Sequence, residues 1–199
     1  MNLQKLFDTQ KVLRDRIGYE GEDRFEKLIL ALLVEIGECA NEWRGFKFWS
    51  KDQEPRTFKR INCPDCLEKG FTPYNRPRQK EYLCETCAGY LMIDRNPLLE
   101  EYVDGLHFVL EIGLEIGIEK YKPLAVKEET ITEQFIELNY QAYLVLQRNE
   151  RGFTGKGQWY LLFDLFVGLG EMLGFTWEEI ETAYFEKNKV NHERQNTGY

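Results

Sequence analysis

The chain has 199 residues, 43% of them hydrophobic and 14% aromatic, and a formal net charge of −8 at pH 7. That is enough for one well-cored domain, or one domain with a small insert. The acidic balance argues against general binding to a nucleic-acid backbone, which needs a basic face, and no run reaches the roughly 18 apolar residues of a membrane span.

The spacing of Leu3, Leu6, Phe7, Gln10, Leu13 and Ile17 predicts an amphipathic helix over 3–17, broken by Gly18 and Gly21. A second helix is expected over 22–43. It carries seven apolar residues in a row, Leu28 to Val34, followed directly by Glu35 and Glu38. Residues 46–95 change character, with Pro, Gly, Asn and four cysteines replacing apolar periodicity. Asn96 and Pro97 then read as the N-cap and first residue of a third helix, reaching about residue 120. It opens with Glu101 and Asp104 and runs on through Leu106, Phe108, Val109, Leu110 and Ile112. Thr130 with Glu133 forms a capping-box pattern for a fourth helix to about 149. A glycine-rich loop, 151–157, leads to a fifth helix over about 158–173. Thr176 with Glu179 opens the last helix, expected to fray after Asn188. The chain therefore reads as all-α: a bundle of about six helices from 1–45 and 96–199, with an insert at 46–95.

The two acid pairs each have i, i+3 spacing, so each pair shares one helix face. A helix apolar around most of its circumference is a buried helix. Its acids are then expected to point inward, where an unpaired charge costs several kcal/mol. Four inward carboxylates repel unless a cation joins them. A hard divalent ion with oxygen ligands meets that need, and Mg2+ is the usual choice where phosphates are handled. E-x-x-E alone is common on solvated helix faces; its repetition in two apolar helices is what points to metal. The two histidines, His107 and His192, are too few for a His-based metal site.

Cys63 and Cys66 form one C-x-x-C, and Cys84 and Cys87 another. Such a pair of turns aims four thiolates at one ion and predicts a structural Zn2+ site. The insert is too polar to build its own core, so the ion is expected to hold it together. Its net charge of +3 falls to about +1 once four thiolates bind one Zn2+. A structural or partner-binding role therefore suits the insert better than nucleic-acid contact. Cys39 reads as a small core residue. The start of the chain lacks the apolar core of a signal peptide, so a cytoplasmic location and free cysteines are expected. The final segment combines Lys187, Lys189 and Arg194 with Asn188, Asn191, Gln195 and Asn196. Such a set suits phosphate oxygens and a sugar or base edge.

Three blocks carry a resemblance: Glu35-Ile-Gly-Glu38 with Asn41-Glu-Trp-Arg and Phe46-Lys-Phe-Trp-Ser50; Glu101-Tyr-Val-Asp104-Gly-Leu-His-Phe108; and Lys187 to Tyr199. In these the chain resembles the dimeric, all-α dUTP diphosphatases of Gram-positive bacteria and their phages, within the MazG-like pyrophosphatase superfamily. The resemblance leaves out the cysteine insert. It implies hydrolysis of dUTP to dUMP and pyrophosphate, with dUDP also cleaved. It implies two or three Mg2+ ions on Glu35, Glu38, Glu101 and Asp104, with Glu38 orienting or deprotonating the attacking water. It also implies phosphate contacts from Lys187, Asn191 and Arg194. Gln10 and Trp49 are candidates for the uracil pocket, as an amide that pairs with a base edge and an indole that stacks on its face. A homodimer is expected from the resemblance and from the aromatic helix 158–173. Two alternatives stay open: a pyrophosphatase for another nucleotide, and a phage-type regulatory protein that binds a repressor through its insert.

Overall fold

The computed structural model describes residues 3–75, 83–118 and 120–198. Arg76, Arg78, Lys80 and Glu81 of the insert's charge count, and Tyr199 of the third block, lie outside them. The chain forms two compact units, Met1–Pro55 with Leu98–Tyr199, and Arg56–Pro97.

The larger unit is helical. Helix α1 spans Leu3–Ile17 and α2 spans Arg24–Trp43. Helix α4 covers Pro97–Glu115, α5 Ile131–Glu150, α6 Lys156–Met172 and α7 Trp177–Thr197. The smaller unit holds β1 (Lys59–Asn62), a short α3 (Pro64–Glu68) and β2 (Met92–Arg95). The strands pair antiparallel, with Lys59 opposite Arg95 and Asn62 opposite Met92.

Both expected capping boxes form. Thr130 and Thr176 each accept from the backbone N–H of the glutamate three residues on, and each glutamate returns a bond to the cap's own N–H. Helix α4 ends earlier than its pattern suggested. Gly117 turns left-handed at φ +73°, and the Ile118 N–H closes on the Gly113 carbonyl at 2.8 Å. The following strap is tied to α6: Tyr121 donates to the Asp164 carboxylate at 2.7 Å, and the Leu124 N–H joins it at 2.8 Å. Gly168 permits that approach, because a Cβ there would lie 1.8 Å from the Val126 carbonyl oxygen.

The core sits among α1, α2, α4, α5, α6 and α7. Helix α6 buries Trp159, Leu162, Phe163, Leu165, Phe166 and Leu169 within the single chain. The Trp159 indole N–H is satisfied by the Val109 carbonyl at 2.9 Å. Leu161 of the same helix stays 38% exposed. The apolar run on α2 is likewise only one-sided: Ile29 and Leu32 are buried, whereas Leu30 is 62% and Val34 48% exposed. Helix α5, which packs against α2, exposes Ile136, Tyr140 and Tyr143 at helical spacing.

Helix α7 corrects another expectation. It does not fray after Asn188 but continues as helix to Thr197. Tyr184 and Asn188 are buried, and Arg16 reaches from α1 to His192 and Asn196. Lateral contacts thus carry the helix where local sequence pattern offered only polar residues.

Candidate metal and nucleotide site

Helices α2 and α4 bring the first acids together. Ligand oxygens of Glu35, Glu101 and Asp104 all lie within 4.8 Å of one another. All three residues are half-buried. Burial pushes Glu35 up to about 7, helped by the charges of Asp104, Glu38 and Glu101. Burial also raises Glu101 to about 7, with Asp104 and Glu38 adding to it. Asp104 is raised by burial, against the opposing pull of Lys187. Glu38 is exposed and lies outside the trio, yet close enough to hydrogen-bond Glu101.

Two observations test whether a hard cation fits. One is the trio itself, an all-oxygen donor set whose members repel. The other is the Glu35 Oε2 atom, buried without a hydrogen-bond partner. An orphaned carboxylate oxygen is costly unless something positive meets it. The donor set suits Mg2+.

Helix α7 supplies the cations. The Lys187 ammonium contacts Asp104 directly. Asn191 and Arg194 lie one and two turns further along the helix, and all three line a cleft of about 410 Å3 together with Glu35 and Asp104. That volume falls in the usual range for small-molecule sites, about 300–1,000 Å3. The cleft extends past His107 and Phe108 to Gln10, Glu111, Arg14, Arg24 and Tyr19. A second hollow of about 560 Å3 shares Arg14, Tyr19 and Arg24 but holds neither acid pair.

Gln10 is buried, and its amide is engaged from both sides. Its Nε2 donates to Glu111 at 2.9 Å, while its Oε1 accepts from the Tyr184 hydroxyl at 2.9 Å and lies 2.8 Å from His107 Nδ1. Glu111 accepts from Arg24 at 2.5 Å, with Arg14 at 3.6 Å. The His107 ring stacks on Tyr184 with centroids 4.1 Å apart. Burial, with Lys187 nearby, holds this histidine down to about 3, so it is neutral. Trp49 is not brought to this cleft by its own chain. It is 66% exposed and packs edge-on against Phe46 and Phe48 beyond α2.

Sequence reasoning passed over His107, Phe108, Glu111, Arg14 and Arg24. The signal was the register of α4: Glu101, Asp104, His107 and Glu111 recur at three- and four-residue steps along one face. Each is a polar residue set among the buried apolar residues of that helix.

In the smaller unit Cys63, Cys66, Cys84 and Cys87 are all buried, with ligand atoms within 4.8 Å of one another. Sulfur separations are 3.7 Å for Cys63–Cys84 and 3.5 Å for Cys66–Cys87. Disulfide sulfurs stand about 2.05 Å apart. Four thiolates at about 2.3 Å from one tetrahedral Zn2+ stand roughly 3.8 Å apart, close to what is seen.

The family model described as dUTPase matches residues 2–67 and 91–199. The match takes in both acid pairs and the α7 cations, and omits residues 68–90. The chain belongs to this dUTPase family, and the activity that membership supports is that of a dUTP diphosphatase. A search of curated proteins gave no match.

Proposed function

We propose that the chain hydrolyses dUTP, and dUDP, with Mg2+ held by Glu35, Glu101 and Asp104 and by Glu38 at the rim. The observation that carries this is the half-buried trio with the orphaned Glu35 oxygen. Bound Mg2+ supplies neutralisation of phosphate charge and a more acidic water. In this reading Glu38 orients the attacking water and accepts its proton, a role supported by its exposure beside Glu101. Lys187, Asn191 and Arg194 bind the phosphates from α7, and Lys187 exchanges its Asp104 contact for a phosphate oxygen. The base enters the end of the cleft walled by Phe108, His107 and Gln10.

The same reading gives one structural Zn2+ on the four cysteines, supported by the sulfur spacing. It also gives a homodimer, supported by Leu30 and Val34 on α2 and Ile136, Tyr140 and Tyr143 on α5, exposed apolar residues on helices that pack together. The test is pyrophosphate release from dUTP, dCTP, dTTP and UTP, and phosphate release from dUDP, with and without Mg2+. Turnover of dUTP above the others, dependent on Mg2+, is expected. Faster turnover of another nucleotide, or of none, overturns the reading.

A further inference from the structure

The buried polar chain that ends at His107 has a direction. A carboxylate bridged by two guanidinium groups accepts hydrogen bonds and donates none. Glu111 is in that position between Arg24 and Arg14. The group that Gln10 turns toward Glu111 must therefore be its NH2, as the 2.9 Å contact records. Its carbonyl oxygen then faces Tyr184 and His107. An amide oxygen carries no hydrogen, so the 2.8 Å contact with His107 requires a proton on Nδ1. A neutral imidazole has a single N–H, which leaves Nε2 as a lone pair. That nitrogen is buried and has no hydrogen-bond partner. His107 lines the same cleft as Glu35, Asp104 and Lys187.

We propose that Glu111 is a base-selecting positioning residue: through Gln10 it locks His107 as the Nδ1–H tautomer and keeps Nε2 as an acceptor for a ring N–H of the nucleotide base. This rests on the dUTP reading above and deepens it. Uracil carries such a hydrogen at N3, between two carbonyl groups. Cytosine carries a lone pair at the same ring position, and two facing lone pairs repel. The Tyr184 ring, stacked at 20° to the imidazole, fixes the plane in which that lone pair lies. Selection would thus be set three residues away from the base, by a carboxylate that does not touch it.

The test begins with wild-type protein labelled with 15N-histidine and free of nucleotide. Long-range 1H–15N spectra report which ring nitrogen is protonated, and a His192→Gln variant assigns the two histidines. His107 is expected as the Nδ1–H tautomer; an Nε2–H ring, or a tautomer mixture, overturns the proposal. The second arm is Glu111→Gln, whose amide can donate as well as accept and so frees Gln10 to turn over. The Nε2–H population should rise, and the kcat/KM preference for dUTP over dCTP should fall by about tenfold to a hundredfold, the range for one misplaced buried hydrogen bond. An unchanged tautomer and an unchanged preference in this variant refute the mechanism. Should the variant not fold, the wild-type spectrum still decides. A wild type that turns over no dUTP defeats the functional reading, while the tautomer of the free protein tests the lock independently.

Discussion

Replacing Glu35 by Gln should make the metal-free protein more stable and nearly inactive at once. The side chain keeps its size and loses the charge that binds metal. In the folded chain Glu35 titrates at about 7, raised from 4.5 by burial and by Asp104, Glu38 and Glu101. The folded state therefore holds a proton that the unfolded chain has released, so wild-type stability falls as pH rises from about 4.5 to 7. Fully buried, such a shift is worth roughly 3 kcal/mol above pH 7. Glu35 is only half-buried, and solvent screening reduces this to about 1–2 kcal/mol. For a chain of this size that corresponds to a rise in Tm of roughly 2–8 °C at pH 8. The gain should shrink as pH falls through 7 and vanish near 4.5. Activity should drop by at least about a hundredfold, as for other strongly placed electrostatic groups. The assays are thermal unfolding in magnesium-free buffer from pH 4.5 to 8, and pyrophosphate release with Mg2+. A variant that is less stable at pH 8, or one with normal turnover, would falsify the metal assignment.

Three further outcomes are expected. Protein purified without added metal should carry one zinc per chain by elemental analysis; Cys63→Ser with Cys66→Ser should remove it while far-ultraviolet circular dichroism stays strongly helical, and retained zinc would count against the four-sulfur site. Val34→Asp or Tyr140→Asp should give a species near 23.7 kDa by light scattering where wild type is twice that; a monomeric wild type would show that α2 and α5 expose their apolar residues for another reason. Lys187→Ala and Arg194→Ala should each raise KM for dUTP about tenfold or more, the size of a lost charge-assisted hydrogen bond, and unchanged KM values would place the triphosphate elsewhere.

The elements were largely legible in the sequence because their punctuation is chemical. Thr130 and Thr176 are followed three residues later by glutamate, and both boxes form. The acids on α2 and α4 stood out as charges in apolar surroundings, and three of the four converge. What sequence hid depends on the third dimension. The seven-residue apolar run on α2 looked wholly buried, yet Leu30 and Val34 face outward, because periodicity cannot distinguish a core face from a second apolar face. The polar end of α7 looked like a fraying terminus. Its order comes from Arg16, more than 170 residues earlier in the chain. Gln10 was legible as a polar residue on an apolar helix, but not its partners Glu111, His107 and Tyr184, which arrive from two other helices.

The pairing of β1 with β2 makes the segment between them separable. Asn62 and Met92 are register partners across an antiparallel ladder, so the chain leaves and returns at adjacent points, about 5 Å apart. Everything from Cys63 to Leu91 hangs from that two-stranded stem. Replacing it with an Asn-Gly turn would close a short hairpin. The stem is equally a graft point, where a fluorescent or affinity module with neighbouring termini could be carried without stretching the chain. In this respect the protein is a host scaffold with a socket, and the cysteine-bearing segment is one of the things that fits it.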